Sequence, residues 1–420
     1  MSTTSRQRVL DALNFKEGPV PVDFGGHRSS AIAALAYIKL KNALGISSGD
    51  IYVYDVMGQL AIVEPEVLDA LGVDTVELGR AFCTQPQDWK EWTLPGGIPC
   101  KIPAYVDVRK KGDDWFIHNM KSGEVRAIQV NGSLCFERIQ QPFADYELDE
   151  GVDVVFEKWA SGAMTGTPPP GGHFDMTKEA AAPYAEQARA FRAQTNRAVI
   201  GVFGGSLFEV THWLFGMEND LVQMSACPDE YEQLVHRVGD RYLQELAVWL
   251  DAFGDSVDVV LFVDDFGAQS GLLMAPEMYR RYFLPVHKKM WQLVHERSAA
   301  KVNLHSCGSI DSIIPDLMGA GLDALNPVQI TCEGMDAASL KQRFGDKLTL
   351  WGGGCDTRDI LPRGTAAQIR EHVLRQCEIL APRGGFVFQQ VQNIMAEVPP
   401  QNIIAMFEAV KEFNAGRPGA

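Results

Sequence analysis

The chain has 420 residues, of which 46% are apolar and 22% charged, a composition that supports a sizeable soluble core. With 54 acidic against 38 basic side chains the net charge is −16, and no Lys/Arg-rich cluster interrupts it beyond the short "VRKKGDD", so nucleic acid is excluded as a partner. No apolar run is long enough to span a bilayer, and the opening "MSTTSRQRVLDALNF" carries no apolar signal region, so no membrane is involved and the cytoplasm is the expected location.

In chain order, "PVPVDFGG" and "GVDTVEL" read as the first two apolar strands. From about 82 to 145 the pattern changes. "WKEWTLPGG", "IPAYVDVRKKGDDWFIHNMKSGEVRAIQV" and "SLCFERIQ" alternate apolar and polar around the turn signals "KKGDD" and "KSGE". This predicts an antiparallel β-hairpin insertion that caps one end of the fold. The Pro/Gly/Thr stretch "SGAMTGTPPPGGHF" predicts a lid or rim loop. After residue 195 strands return at "RAVIGVFGG", "VDVVLFVDDFG", "KVNLHSCG", "LDALNPVQ", "KLTLWGGGCDT" and "GGFVFQQVQNI". Helical spacing lies between them. In "SIDSIIPDLMGAG", Ile310, Ile313, Ile314, Leu317 and Met318 form one stripe, with Ser309 as N-cap and glycines 319 and 321 as stops. Strands alternating with helices imply a parallel sheet covered on both faces. Eight of them predict a (β/α)8 TIM barrel, with residues 1–420 as one domain carrying the insertion.

In such a barrel the polar, Gly-rich strand tips all fall at the C-terminal face, where active sites are built. His305 and Cys307, two residues apart at one tip, point to the same side. Cys355, two strands later in "WGGGCDT", is expected to join them, and an imidazole with two thiolates is a zinc-preferring set with one exchangeable position. The same H-x-C pattern also occurs as ordinary packed residues, and the glycines before Cys355 also serve a tight turn. Of Asp264 and Asp265, one should face the mouth and handle protons or tune a metal, while the other faces the helices or caps one. Gln329, Gln392 and Asn393 read either as substrate or metal contacts at the rim or as ties between loops. His212, beside aromatic residues, reads as pocket lining ahead of metal binding, with a buried structural histidine as the further alternative. The remaining cysteines, scattered among eight in all, read as buried thiols. No phosphate loop, nucleophile elbow, H-E-x-x-H or G-x-G-x-x-G is present.

Together "RVLDALNFKEGPVPVDFGG", "VDDFGAQSGLLMAPEMYRRYFLP", "VNLHSCGSIDSIIPDLMGAGLDALNPVQ", "WGGGCDT" and "VPPQNIIAMFEAV" make the chain resemble the uroporphyrinogen decarboxylase superfamily over nearly its full length. It looks closest to the zinc- and corrinoid-dependent methyltransferases, which include methylcobamide:coenzyme M methyltransferases and O-demethylase components. The resemblance implies the same barrel and a zinc site at His305, Cys307 and Cys355. It implies transfer of a methyl group between a small, methoxylated substrate and cobalamin carried by a separate corrinoid protein, since no D-x-H-x-x-G motif occurs in this chain. Asp264, Asp265 and Gln329 would act catalytically, with His212, Gln392 and Asn393 binding substrate. Two departures stand out. Where the coenzyme M enzymes carry their second zinc cysteine, in the stretch matching "FQQVQNI", this chain has Gln392, so Cys355 must substitute. The arginine-rich segment that holds substrate carboxylates in uroporphyrinogen decarboxylase is also missing, with only His27 and Arg28 after "DFGG", which argues against that activity. The alternatives are a metal-independent decarboxylase or lyase and a non-catalytic corrinoid-binding protein.

Overall fold

The computed structural model describes residues 3–119, 123–162 and 176–417. Seven strands form one parallel sheet in chain order: Thr75–Glu77, Ala198–Gly204, Val259–Val263, Lys301–His305, Ala324–Asn326, Thr349–Trp351 and Phe386–Val387. The segment expected as the first strand closes the ring. Val22 bridges Phe388 in parallel, Asp23 N–H donates to the Phe388 carbonyl (2.8 Å), and Asp74 N–H donates to the Val22 carbonyl (2.8 Å). The backbone thus forms a TIM-barrel-like fold, and each strand expected from an apolar run occupies its predicted place.

Alternation along the strands sorts side chains into two cores. Ala198, Ile200, Val259, Leu261, Ala324, Trp351 and Val387 pack together with Val9, Ala12 and Leu13. Val260, Phe262, Val302, Leu304, Leu325 and Leu350 pack outward in the larger core shared with the helices. The helix Ser5–Leu13 brings its apolar face to the N-terminal ends of the strands: Arg6 N–H donates to the Asn196 carbonyl and Gly385 N–H to that of Ala12. That end is plugged with hydrocarbon, which leaves the C-terminal ends as the polar mouth.

The insertion is antiparallel as expected. Trp89–Leu94 pairs with Ile98–Pro103, and Asp107–Lys111, Asp114–His118, Val125–Gln129 and Glu137–Arg138 form a four-stranded sheet. The Pro/Gly/Thr loop predicted as a lid lies almost wholly outside the described residues. The predicted helix after the Lys301–His305 strand starts later than its spacing suggests. A 3-10 turn, Asp311–Ile313, precedes the α-helix Ile314–Ala320, which begins with Pro315 in its first turn. Ser309 therefore does not cap it; its hydroxyl donates to the Glu333 carbonyl (2.6 Å). No helix among the described residues is long and apolar enough to cross a membrane.

Candidate active site

The Lys301–His305 strand turns Val302 and Leu304 toward the helices and Asn303 and His305 toward the barrel axis, where His305 is 4% exposed. Past the strand end, Cys307 returns to the same side, with its Sγ 3.3 Å from His305 Nε2. The neighbouring strand contributes Asp265, whose Oδ1 accepts the Cys307 N–H at 2.8 Å and lies 3.9 Å from His305 Nε2. Imidazole nitrogen, thiol sulfur and carboxylate oxygen all lie within 4.8 Å of one another. Gln392 completes the ring of polar atoms, its side-chain amide 2.9 Å from Cys307 Sγ. Gly308 lets the turn pack directly on the Gly267 backbone: its φ is +84°, and a Cβ there would stand 2.3 Å from the Gly267 carbonyl.

The tautomer of His305 follows from its partners. The Asn326 amide nitrogen donates to the Trp351 carbonyl (2.9 Å) and to Gln389 Oε1 (2.7 Å), so the amide oxygen faces His305. That oxygen lies 2.6 Å from Nδ1, which must then carry the proton, leaving the Nε2 lone pair directed at Cys307. The chain of bonds continues through Gln389 Oε1 to His27 Nε2 (3.2 Å) and from there to Asp23 Oδ2 (3.3 Å). His27 Nδ1 accepts the Ser29 N–H, which places its proton on Nε2, the opposite tautomer to His305. Asp23, His27, Asn326 and Gln389 are all fully buried. Burial alone would raise the Asp23 carboxyl, but hydrogen bonds from His27, Thr75 and Trp351 hold it below its ordinary value. A buried anion thus anchors a polar string that ends on the candidate ligand.

The acidic residues divide by environment. Asp264 is buried, and its carboxylate accepts the N–H groups of Leu207 (2.9 Å), Phe208 (3.0 Å) and Glu209 (3.0 Å) at the start of the helix Phe208–Phe215. Burial nevertheless lifts it to about 7, more than these bonds lower it. Glu209, on that first turn, accepts from the Ser206 hydroxyl (3.1 Å). Burial and then the charges of Asp265 and Asp264 raise it to about 8, so near neutral pH it holds its proton beside the cluster. Burial, followed by the Asp265 charge, pushes the Cys307 thiol well up. A divalent cation would supply the missing counter-charge and release that proton, since coordination deprotonates a thiol.

A family model described as uroporphyrinogen decarboxylase (URO-D) matches residues 173–413, more than half of the sequence and every element that supplies Glu209, Asp265, His305, Cys307 and Gln392. The chain belongs to the URO-D family. Among solved structures it is similar to a methyltransferase from Methanosarcina mazei, at 16% identity and a TM-score of 0.57, covering 98% of this chain and 99% of that one. That likeness shows a shared fold. A B12-independent methionine synthase from Shewanella sp. W3-18-1, in complex with selenomethionine, aligns over 56% of this chain and 66% of its own at 13% identity and a TM-score of 0.35. No curated protein matches the sequence.

In this URO-D chain His305, Cys307, Asp265 and Gln392 are brought together, whereas other expected residues go elsewhere. Cys355 is the main correction. It is fully buried in the larger apolar core, its Sγ lies 3.8 Å from the Asp356 carbonyl, and among the described residues it does not belong to the His305–Cys307–Asp265 group. The strand parity that would aim it inward from Trp351 is broken by Gly352 and Gly353, whose φ angles are +121° and +73°. Asp264 caps a helix instead of facing the mouth. Gln329 accepts the Gly308 N–H (2.9 Å) and Asn393 accepts the Ala31 N–H (2.9 Å), so both tie loops. His212 turns away to Asp220, 2.6 Å from Nδ1, and to the Phe208 carbonyl and Met217. Glu209 was not singled out from sequence. Its only signal is a lone acid in the apolar "GGSLFEV", directly after a glycine-rich strand end.

Proposed function

We propose that this chain is a zinc-dependent methyltransferase component that moves a methyl group between a small methoxylated compound and a corrinoid held by a partner protein. The observation that carries the reading is the meeting of His305 Nε2, Cys307 Sγ and an Asp265 oxygen within 4.8 Å at the mouth of a barrel of this family. The donor set suits zinc: a neutral imidazole with its tautomer fixed, a thiol lacking only a counter-charge, and a carboxylate. Asp265 thereby takes the place foreseen for Cys355, with the Gln392 amide as neighbour. When bound, zinc supplies Lewis acidity toward the methoxy oxygen.

The chain's own residues account for the rest. Asn326 holds the imidazole, and the Asp265 bond to the Cys307 backbone fixes the turn that carries the sulfur. Glu209 keeps a proton available at neutral pH. A reduced corrinoid on the partner would supply the electron pair that takes the methyl group; the C–O pair would then stay on oxygen, where Glu209 would supply the proton that neutralises the leaving alkoxide or phenoxide. Glu209→Gln should then lower turnover while leaving the metal in place. The direct test mixes the purified chain, zinc, cob(I)alamin and a panel of methoxylated aromatic compounds, and follows methylation of the cobalamin by absorbance. Turnover that disappears in Cys307→Ser supports the reading. Binding of cobalamin without methylation across the panel would contradict it, as would zinc-independent release of carbon dioxide from a carboxylated substrate, which favours a lyase.

A further inference from the structure

The inward-facing side chains of the barrel strands stack in layers. In the layer nearest the mouth His305 pairs in register with Asn326, and Trp351 ends the next strand. The polar groups of these three are spent. His305 Nδ1 and the Asn326 amide are taken by each other, by the Trp351 carbonyl and by Gln389, and the Trp351 indole N–H donates to Asp23 Oδ2 (2.8 Å). Two residues earlier on the same three strands stand Asn303, Ala324 and Thr349, paired in register and turned to the same inner side. Further toward the N-terminal ends the axis is hydrocarbon, with Val259, Ala198, Ala12 and Leu13.

Asn303 and Thr349 are both 0% exposed, and neither polar atom of the Asn303 amide nor Thr349 Oγ1 has a hydrogen-bond partner among the described residues. A fully buried amide and hydroxyl left unpaired are costly, and such groups are normally bonded. They do not reach each other. The two residues stand two strands apart, roughly 10 Å between backbones, with only the Ala324 methyl between them. The spent layer above and the hydrocarbon below have nothing to offer either. The unpaired set is one amide donor, one amide acceptor and one hydroxyl that can act as either. It carries no charge, so it suits neither an anion nor a cation. It calls for a small neutral molecule that both donates and accepts, sealed from solvent. Water meets that description, since a buried water typically makes about three hydrogen bonds to polar groups that lack other partners.

We propose that the barrel interior holds an ordered water site between Asn303 and Thr349, over the Ala324 methyl, which forms part of the floor on which His305 stands. The site is independent of metal and of methyl transfer. A high-resolution crystal structure of the full chain should show solvent density within about 2.7–3.2 Å of the Asn303 amide and of Thr349 Oγ1. In solution, relaxation dispersion of the water oxygen-17 signal counts long-lived internal waters. The double variant Asn303→Leu with Thr349→Val, which fills the layer with hydrocarbon, should hold at least one fewer per chain than the parent. Thr349→Val alone keeps the side-chain volume and removes one of the three bonding groups, so its count should fall as well; it carries the test if the double variant does not fold. Direct bonds from Asn303 and Thr349 to protein atoms with no density between them would overturn the proposal. So would uptake of thallium(I) at the site, which marks a cation instead, or a count of internal waters unchanged in a folded variant.

Discussion

Replacing Asn326 by Leu tests the string of bonds behind the candidate metal ligand. The side chain makes three buried hydrogen bonds, to His305 Nδ1, the Trp351 carbonyl and Gln389 Oε1. Leu keeps the volume and leaves all three partners short of a bond, although Gln389 Oε1 retains His27. At roughly 1–3 kcal/mol for each unsatisfied buried group, the expected loss of stability is about 3–6 kcal/mol, readable by urea denaturation. The functional consequence is separate. Without an acceptor at Nδ1 the imidazole is free to place its proton on Nε2, and zinc affinity should fall about 10–100-fold, or roughly 1.4–2.7 kcal/mol, by competition with a colorimetric chelator. Asn326→Asp divides the two effects. It keeps an acceptor facing Nδ1 but sets a carboxylate against the Trp351 and Gln389 oxygens, so it should be destabilised and yet hold zinc about as tightly as the parent. Parental zinc affinity in Asn326→Leu, or an equal loss of affinity in both variants, would refute the tautomer argument.

Other outcomes follow from particular contacts. Asp264→Ala uncaps the helix Phe208–Phe215 by orphaning the N–H groups of Leu207, Phe208 and Glu209; a loss of about 2–4 kcal/mol in urea is expected, and a change under 0.5 kcal/mol would contradict the capping role. Gly308→Ala places a Cβ 2.3 Å from the Gly267 carbonyl at a φ of +84°, so the turn carrying Cys307 must move; zinc affinity should fall at least about tenfold, and a crystal structure showing that turn unmoved would count against the argument. Asp323→Asn probes pH. Burial works to raise Asp323, but bonds from His295 (2.7 Å) and the Val302 N–H (2.8 Å), with the Lys301 charge, hold it below its ordinary value. A depressed carboxylate stabilises the fold above its unfolded pKa of about 4, and that contribution is lost as pH falls through the folded value. The variant should therefore be about 1–3 kcal/mol less stable at pH 7, with the gap closing toward pH 3; a constant gap would refute the assignment.

Much of this was legible because strand alternation is local. The Lys301–His305 strand and the common side of His305 and Cys307 follow from a period of two. So does the split between Asp264 and Asp265, although the sequence does not say which faces the mouth. Cys355 was expected at the mouth because it lies two barrel strands on, and two consecutive left-handed glycines at 352 and 353 send it into the larger core instead. The string from Asp23 through His27, Gln389 and Asn326 joins residues more than 360 positions apart, and its members meet only when the first and last barrel segments close the ring. Glu209 was missed because its raised pKa arises from burial and from two aspartates on another strand. Burial shows near residue 209 only as the apolar setting of a lone acid, and the two aspartates leave no mark there.

The measurement that bears most directly on the proposed metal site is zinc content by elemental analysis of the parent chain beside Cys307→Ser, Asp265→Asn and Cys355→Ser. About one zinc per chain is expected in the parent and in Cys355→Ser, and none retained in Cys307→Ser, with Asp265→Asn clearly weakened. A parent free of zinc after purification in its presence, or zinc lost from Cys355→Ser while Asp265→Asn keeps it, would contradict the ligand set drawn here.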